Sequence, residues 1–406
     1  MEKILIVTTH TDIEERLVNM IEKGILPKAH YSAVVEFFGE EIKESQIFDN
    51  FFPFNDLRNK EEIEAALENC KNWGPFDHVI STDEYSVVLT AEICEYINHE
   101  GMKKEDVLKF RDKVVMKESI EGRIRTPQLY QLDKLKHNDN LFPVIVKPRS
   151  YAGSKGISIL YSQDDLKTYL ANNISDPSDK GINQFTEDDI EFEEYINGPV
   201  YHIDGYVFNN KIEFCRASKY EGLCLNYLDG EPLGSISVGN KKEDEEWRDF
   251  AEQVHSVMNI PDGVFHLEAF LTDKGEKVFL EIGIRPGGSL VVPAIEGAIG
   301  LNLDEAHVQC QMGIKPNIKN KKEDKNYGWL IFPKDFSSKE DKNIQAINMP
   351  TKHLESLSWS EKPQLGTSLN GHFSYINNLG SFLFVSADWS NIKSDLELLL
   401  NEYTVK

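Results

Sequence analysis

PVIVKPRSYAGSKGISIL (residues 143–160) reads as a strand, a tight turn and a second strand. The strand PVIVKP delivers Lys147, and the turn holds Gly153, Ser154, Lys155 and Gly156. A loop of small residues lets backbone N–H groups approach and surround phosphate oxygens. A lysine on the preceding strand neutralises the same phosphates. The pattern GxxxxGK[ST] is absent, so this is not a Walker A loop. Taken alone, the stretch fits equally well an ordinary β-hairpin turn with a surface lysine.

Downstream, EFEEYINGPVYHIDGYV (191–207) is an acidic strand ending in an apolar residue, then a Gly-Pro turn. Such a segment can hinge a purine. A carbonyl or carboxylate accepts from the adenine amino group, and an apolar residue's backbone N–H donates to the ring. Glu193, Glu194 and Ile196 stand at those places. A half-exposed acidic strand is the plainer reading. Further on, VFHLEAFLTDKGEKVFLEIGIRPGG (264–288) reads as two strands joined by DKGE. Period-2 alternation puts His266, Glu268 and Phe270 on one face of the first strand. It puts Phe279, Glu281, Gly283 and Arg285 on one face of the second. A carboxylate on a buried face is costly unless paired or metal-bound. Two brought together make a hard oxygen site suited to Mg²⁺ between phosphates. Arg285 then stands ready to hold an oxyanion. Solvent-facing glutamates with Arg285 paired to one of them would fit the same pattern.

Upstream, strands alternate with helices. KILIVT is a continuous apolar run, AVVEFFG and FDHVIST follow, and IEERLVNMIEKG, EEIEAALENCKNWG and EYSVVLTAEICEYIN lie between or after them. Gly24 and Gly74 stop the first two helices. This predicts a parallel α/β layer over residues 1–108. Residues 109–120 read as one charged helix. DDLKTYLANN reads as another, capped by Asp164 or Asp165. Residues 176–190 and 316–325 are polar loops, Asn209-Asn210 marks a hairpin turn, and 303–312 is helical. The last stretch is a small β-rich piece closed by SDLELLLNEY.

The composition narrows the function. The 406 residues carry a net charge of −24, which argues against nucleic acid as a partner. One nucleotide needs only a few local cations. No apolar run of about 18 residues occurs, so no membrane span is expected. MEKILIVTTH does not read as a secretory leader. The five cysteines, Cys70, Cys94, Cys215, Cys224 and Cys310, include no CxxC pair. Reduced thiols in a cytoplasmic protein are expected.

The order of these features along the chain resembles the ATP-grasp superfamily, over roughly residues 80–310. The resemblance implies an α/β (α+β) fold: an N-terminal parallel α/β domain (1–108) and an ATP-grasp domain (109–315). Its lid subdomain covers about 119–190, and a C-terminal β-rich α+β subdomain (316–406) follows. RDKVVMKESI resembles the segment whose first lysine, here Lys113, contacts ATP phosphate. Lys147 matches the lid-strand lysine, and Gly153, Ser154 and Lys155 match the phosphate-covering loop. Glu193, Glu194 and Ile196 match the adenine hinge, and Glu268 and Glu281 the metal carboxylates. Arg285 matches the arginine that steadies the transferred phosphate, with Glu281 and Arg285 carrying the catalysis. Glu84, in TDEYSVVLTAEI, falls near the nucleotide or acceptor side, and Asp204 and Gly288 are further substrate-side candidates.

The implied cofactors are ATP and Mg²⁺ (or Mn²⁺). The implied partners are a small carboxylate and an amine, amino acids by resemblance, and a homodimer is common among similar proteins. Two positions depart from the family. Gly283 stands where an Asn usually follows the second metal Glu, and Val200 where an acidic residue usually holds the ribose. His202 and Asp204 are the nearest replacements for the latter. RDKVVMKE, KPRSYAGSKGI and EIGIRPGG together are similar to the L-amino-acid ligase and carnosine synthase branch. The implied activity is a ligase that forms an amide through an acyl phosphate. Bicarbonate activation, acylation of a carrier thiol and a non-catalytic ATP-binding module stay open. The joint presence of both carboxylates, both lysines and the arginine favours an enzyme over the last.

Overall fold

The computed structural model describes residues 1–36, 45, 47–56, 59–154, 156–174, 185–317, 325–336, 342–371 and 374–406. Lys155 therefore lies outside the described residues, as does most of the 176–190 loop. KILIVT forms β1 (Lys3–Thr8), with Ile4 to Val7 fully buried. It pairs in parallel with β2 (His30–Glu36) and, across its other edge, with β4 (His78–Ser81). β3 (Phe48–Phe54) completes the order β3-β2-β1-β4. This strand is not among those read from the sequence. Its Pro53 interrupts the pattern, and a proline is tolerated because β3 is an edge strand. α1 (Ile13–Glu22) covers one face of the sheet. α2 (Lys60–Trp73) and α3 (Val87–Tyr96) cover the other.

The helix expected over 109–120 begins four residues later, at Lys113, and a separate short helix precedes it. α4 (Lys104–Leu108) ends, the chain turns, and α5 (Lys113–Ile120) begins. The cause is Asp112, whose carboxylate accepts from Val114 N and Val115 N as an N-cap. The break puts Lys113 in the first turn of α5 and Lys117 one turn on, on the same side of the helix.

Residues 129–194 form an antiparallel sheet of order β5-β8-β6-β7. Its strands are β5 (Leu129–Tyr130), β6 (Val144–Pro148), β7 (Ser158–Leu160) and β8 (Ile190–Glu194). α6 (Leu132–Lys136) and α7 (Gln163–Asn173) pack on it around Val144, Val146 and Phe192. The cap of α7 is Ser162, not Asp164 or Asp165. Ser162 Oγ accepts from Asp165 N, and Asp165 answers by accepting from Tyr161 N.

The rest builds one large sheet. β9 (Val200–Val207) and β10 (Ile212–Glu221) make the expected hairpin, with Asn209 and Asn210 both at positive φ (51° and 59°). α8 (Cys224–Tyr227), β11 (Leu233–Ser237) and α9 (Lys241–Met258) follow. β12 (Gly263–Leu271) and β13 (Lys277–Gly283) form the second hairpin. α10 (Val291–Ile299) and α11 (Leu303–Gln311) come next. β14 (Asn326–Phe332), β15 (Ile347–Asn348), β16 (Leu357–Glu361), β17 (Gly380–Ser386), α12 (Trp389–Glu402) and β18 (Thr404–Val405) close the chain. The strand order is β13-β12-β9-β10-β11-β14-β17-β16, with β15 and β18 paired separately. The C-terminal strands β14, β16 and β17 thus extend this sheet instead of building one of their own. α9 buries Trp247, Phe250 and Val254 against one face, and α10 with α11 covers the other. Val308 and Met312 also reach the core of the N-terminal sheet, so α11 ties the two layers together.

Candidate active site

The large sheet is the floor of the site, and its pleat carries an irregularity. Glu268 pairs directly with Glu281, but the next pair is Ala269 with Phe279, so Leu280 is the extra residue of a β-bulge. The alternation expected for β13 fails at this point. Phe279 does not share a face with Glu281 but sits fully buried in the core with Leu267 and Ala269. Leu280 and Glu281 instead both line the cavity above the sheet, beside Glu268 and Phe270.

The donors around the two carboxylates come from different elements. Glu268 Oε1 accepts from Tyr220 OH (2.8 Å) and lies 3.3 Å from His266 Nε2. Its Oε2 makes no hydrogen bond among the described residues. Glu281 Oε2 lies 3.3 Å from Lys113 Nζ, which also donates to Tyr151 O at 2.6 Å. Burial would raise the Glu281 pKa, but Lys113 and then Lys147 outweigh it and hold the carboxyl low. Two facing carboxylates with hard oxygens fit Mg²⁺ or Mn²⁺. Gly283 offers no side chain to the set.

The sheet β5-β8-β6-β7, where the lid is expected, supplies the roof. Lys147 reaches Glu193 at 2.8 Å and Glu191 at 3.6 Å. Lys117, from α5, reaches the same two at 2.8 and 2.6 Å. All four side chains are buried. Desolvation opposes charge on Lys147, yet Glu193 and Glu191 keep its pKa above the ordinary lysine value. The same lysines keep Glu193 below the carboxylate range. Glu194 points the other way, to Arg125, which donates to both its oxygens at 2.8 Å. Both hinge carboxylates are therefore engaged within the protein, while the Ile196 N–H makes no hydrogen bond among the described residues. Gly153 and Ser154 adopt positive φ (68° and 58°), which bends the loop sharply over the site.

Between roof and floor is a cavity of about 250 Å³. Lys113, Lys147, Gly153, Ser154, Glu193, Glu194, Ile196, Glu268 and Glu281 all line it. Ile145 and Ile159 form an apolar slab on the lid side, and Phe270 and Leu280 face them from the floor. A smaller adjoining cleft is lined by Glu84, Arg111, Lys113, His266, Glu281 and Arg285.

A family model described as ATP-grasp domain matches residues 140–293. Residues 140–293 are thus the part of the chain that resembles an ATP-grasp domain. It is 24% identical over 294 residues to the L-arginine-specific L-amino acid ligase of Bacillus subtilis, covering 70% of each chain. It is 25% identical over 204 residues to the D-alanine–D-alanine ligase of Petrotoga mobilis, covering 48% of this chain and 64% of that protein. The crystal structure of L-amino acid ligase from Bacillus licheniformis superposes with a TM-score of 0.75 at 13% identity, covering 100% of this chain and 98% of that one. By the matched segment and by its fold the chain is similar to these ATP-grasp ligases. No helix among the described residues is long and apolar enough to cross a membrane.

To the adjoining cleft the N-terminal sheet contributes Glu84. Asp83 fixes the turn beyond β4 by accepting from Thr8 Oγ1, Thr9 N, Tyr85 N and Ser86 N. Glu84 then projects from the carboxyl ends of the parallel strands, where ligands of α/β sheets gather. Its Oε2 accepts from Arg285 Nε at 2.9 Å, and its Oε1 lies 3.6 Å from Arg111 Nη1. A Cβ added at Gly283 would stand 2.7 Å from Glu84 Oε2. Glu84 therefore fills the space that a side chain at position 283 would use.

The remaining candidates fall outside the cavity. Gly288 is exposed, with open space above it. Asp204 is fully buried, bonded to His202 Nδ1 at 2.5 Å and His266 Nδ1 at 2.7 Å, and does not reach the substrate side. His202 is buried with it, so neither stands in for the ribose contact at Val200. The donor atoms of His202, Asp204 and His266 lie within 4.8 Å of one another. Ligands on one tetrahedral metal sit ~3.3 Å apart, so separations of 2.5 and 2.7 Å are those of hydrogen bonds. Lys117, Glu191, Arg111 and the apolar slabs are parts of the site that the sequence reading passed over. The spacing of Lys113 and Lys117, one helical turn, is a signal that was present for the first.

Proposed function

We propose that this chain is an ATP-dependent carboxylate–amine ligase that activates an amino acid's carboxylate as an acyl phosphate and joins it to an amine. The observation that carries this reading is the single cavity in which two lysines and a glycine loop face two paired carboxylates across apolar slabs. The purine lies between Ile145 and Ile159 above and Phe270 and Leu280 below, and the Ile196 N–H donates to its ring. Lys113, Lys147 and the Gly153–Ser154 backbone hold the phosphates. Glu268 and Glu281 hold Mg²⁺ or Mn²⁺, which supplies positive charge against the phosphate oxygens.

The substrate enters from the cleft between Glu84 and Arg285. A carboxylate oxygen attacks the γ-phosphorus, the bond to the bridging oxygen breaks, and ADP leaves. Arg285 stands beside the charge that develops. The amine nitrogen then attacks the acyl carbon, phosphate departs with the C–O electron pair, and the nitrogen loses a proton. Glu84 faces the same cleft and suits a substrate ammonium. A curated relative named for L-amino acid ligation favours amino acids on both sides.

The test is phosphate release from purified protein with Mg·ATP, against single and paired amino acids. Release that depends on an amino acid, with a product one water lighter than the pair, supports the reading. ATP turnover driven by bicarbonate or by a carrier thiol, and by no amino acid, overturns it.

A further inference from the structure

Behind Glu268 lies a row of buried polar side chains. His266 Nε2 faces Glu268 Oε1 at 3.3 Å, and His266 Nδ1 faces Asp204 Oδ1 at 2.7 Å. Asp204 Oδ2 meets His202 Nδ1 at 2.5 Å, and His202 Nε2 meets Ser235 Oγ at 2.6 Å. Asp204 and His202 are fully buried, and His266 nearly so. Apolar side chains would fill this space at less desolvation cost. Here every ring nitrogen and both Asp204 oxygens have a partner, so the network is satisfied and has one arrangement. Its open end is the Glu268 carboxylate.

A second observation ties the same pair to the arginine. A Cβ added at Gly287 would stand 2.7 Å from Asp204 Oδ1 and 3.0 Å from His266 Nδ1. The backbone that follows Arg285 therefore lies directly on the Asp204–His266 hydrogen bond. The strand bearing Glu268 and the turn bearing Arg285 share one support.

We propose that Asp204 and His266, backed by His202 and Ser235, are positioning residues that fix the Glu268 carboxylate and the Arg285–Gly288 turn relative to each other. The ligand they serve is a divalent cation carrying nucleotide phosphates, which meets Glu268 Oε2 while Oε1 is held from behind by His266 and Tyr220. This rests on the reading that Glu268 takes the cation. Groups that hold the far side of a metal ligand typically change metal affinity by about 10–100-fold when removed.

The experiment is Mn²⁺ binding to the full-length, ADP-saturated protein, read by electron paramagnetic resonance, with ADP binding measured separately without metal. His266→Asn is expected to weaken Mn²⁺ about tenfold and to leave metal-free ADP binding unchanged. A merely structural role would lower both together. Gly287→Ala is expected to act in the same direction, by a few-fold. Folded His266→Asn with wild-type Mn²⁺ affinity overturns the proposal. Should that variant not fold, Gly287→Ala decides, and an unchanged affinity there overturns it. Glu268→Gln separates the two levels. Unchanged Mn²⁺ binding in it removes the cation from Glu268 altogether. Lost binding in it, beside normal His266→Asn, removes only the positioning role.

Discussion

The roof and the floor of the cavity both bury charge, but they balance it in opposite ways. On the roof, Lys117 and Lys147 face Glu191 and Glu193, two cations against two carboxylates, and the square is closed within the protein. On the floor, Asp204, Glu268 and Glu281 face His266 and Lys113, three carboxylates against two cations. His266 is held charged there: burial lowers its pKa, but Asp204 and Glu268 raise it to about 9. The roof therefore places a lysine without offering much net positive charge. Among these five groups the floor has one negative charge more than positive, and Arg285 stands near both Glu268 and Glu281. On the proposed reading, phosphate binding depends on a cation held at the floor and on Lys113 more than on the lid square.

The largest effect should come from breaking the floor. Glu281→Gln removes one of the two carboxylates that face the cation and leaves Lys113 without its ion pair. ATP-dependent phosphate release is expected to fall by on the order of 10³-fold, with the far-UV circular dichroism of the fold retained. Wild-type-like turnover would take the metal away from this edge of the sheet. The roof should respond the other way, in stability before chemistry.

Lys117→Met leaves Glu191 and Glu193 buried with Lys147 alone. Breaking a buried ion pair by removing one partner costs about 3–5 kcal/mol. The loss should show as faster hydrogen exchange in β6 and β8. Adding Glu191→Gln restores the charge balance and should recover most of it, a coupling that a double-mutant cycle reads directly. An additive cycle would mean that the square does not act as a unit. Acid sharpens the same contrast. Glu193 is held below its ordinary pKa by the two lysines, so the unfolded chain takes up the proton first as pH falls. Its stabilisation is present above about pH 4.5 and lost below. Urea midpoints from pH 6 to pH 3 should therefore fall, and less steeply in Lys117→Met.

How much of this was legible follows from where each signal sits. Apolar runs, glycine turns and asparagine pairs act locally, so KILIVT, PVIVKP, the Asn209-Asn210 hairpin and DKGE are visible in the chain itself. Lys147, Glu268 and Glu281 stand out for the same reason, each being a charge within an apolar strand. The bulge at Leu280 left no local mark, because it depends on how β12 and β13 register against each other. The square and the Asp204–His266 support are likewise products of pairing. Glu191 and Glu193 share a face of β8 with nothing nearby in sequence to show that two lysines from other elements await them. The break before α5 was readable in principle, since Asp112 precedes an apolar helix as an N-cap does. Reading 109–120 as one charged helix missed it.

The smallest effect concerns the seam between floor and N-terminal sheet. Gly283 has ordinary backbone angles, so Ala there costs nothing by conformation, yet its Cβ would meet Glu84 Oε2 at 2.7 Å. The atom in its way is the end of a side chain, which can swing aside. Swinging it aside weakens the 2.9 Å bond to Arg285 Nε and moves the carboxylate from Arg111. Glu268, Lys147 and the Gly153–Ser154 turn line the neighbouring cavity and are not displaced. Gly283→Ala should therefore raise the KM for the carboxylate substrate by about three- to tenfold, ~1 kcal/mol, and leave the KM for ATP unchanged. Gly283→Asn, longer and polar, should displace Glu84 further in the same direction. If instead the KM for ATP rises and that for the substrate does not, Glu84 belongs to the nucleotide side of the seam.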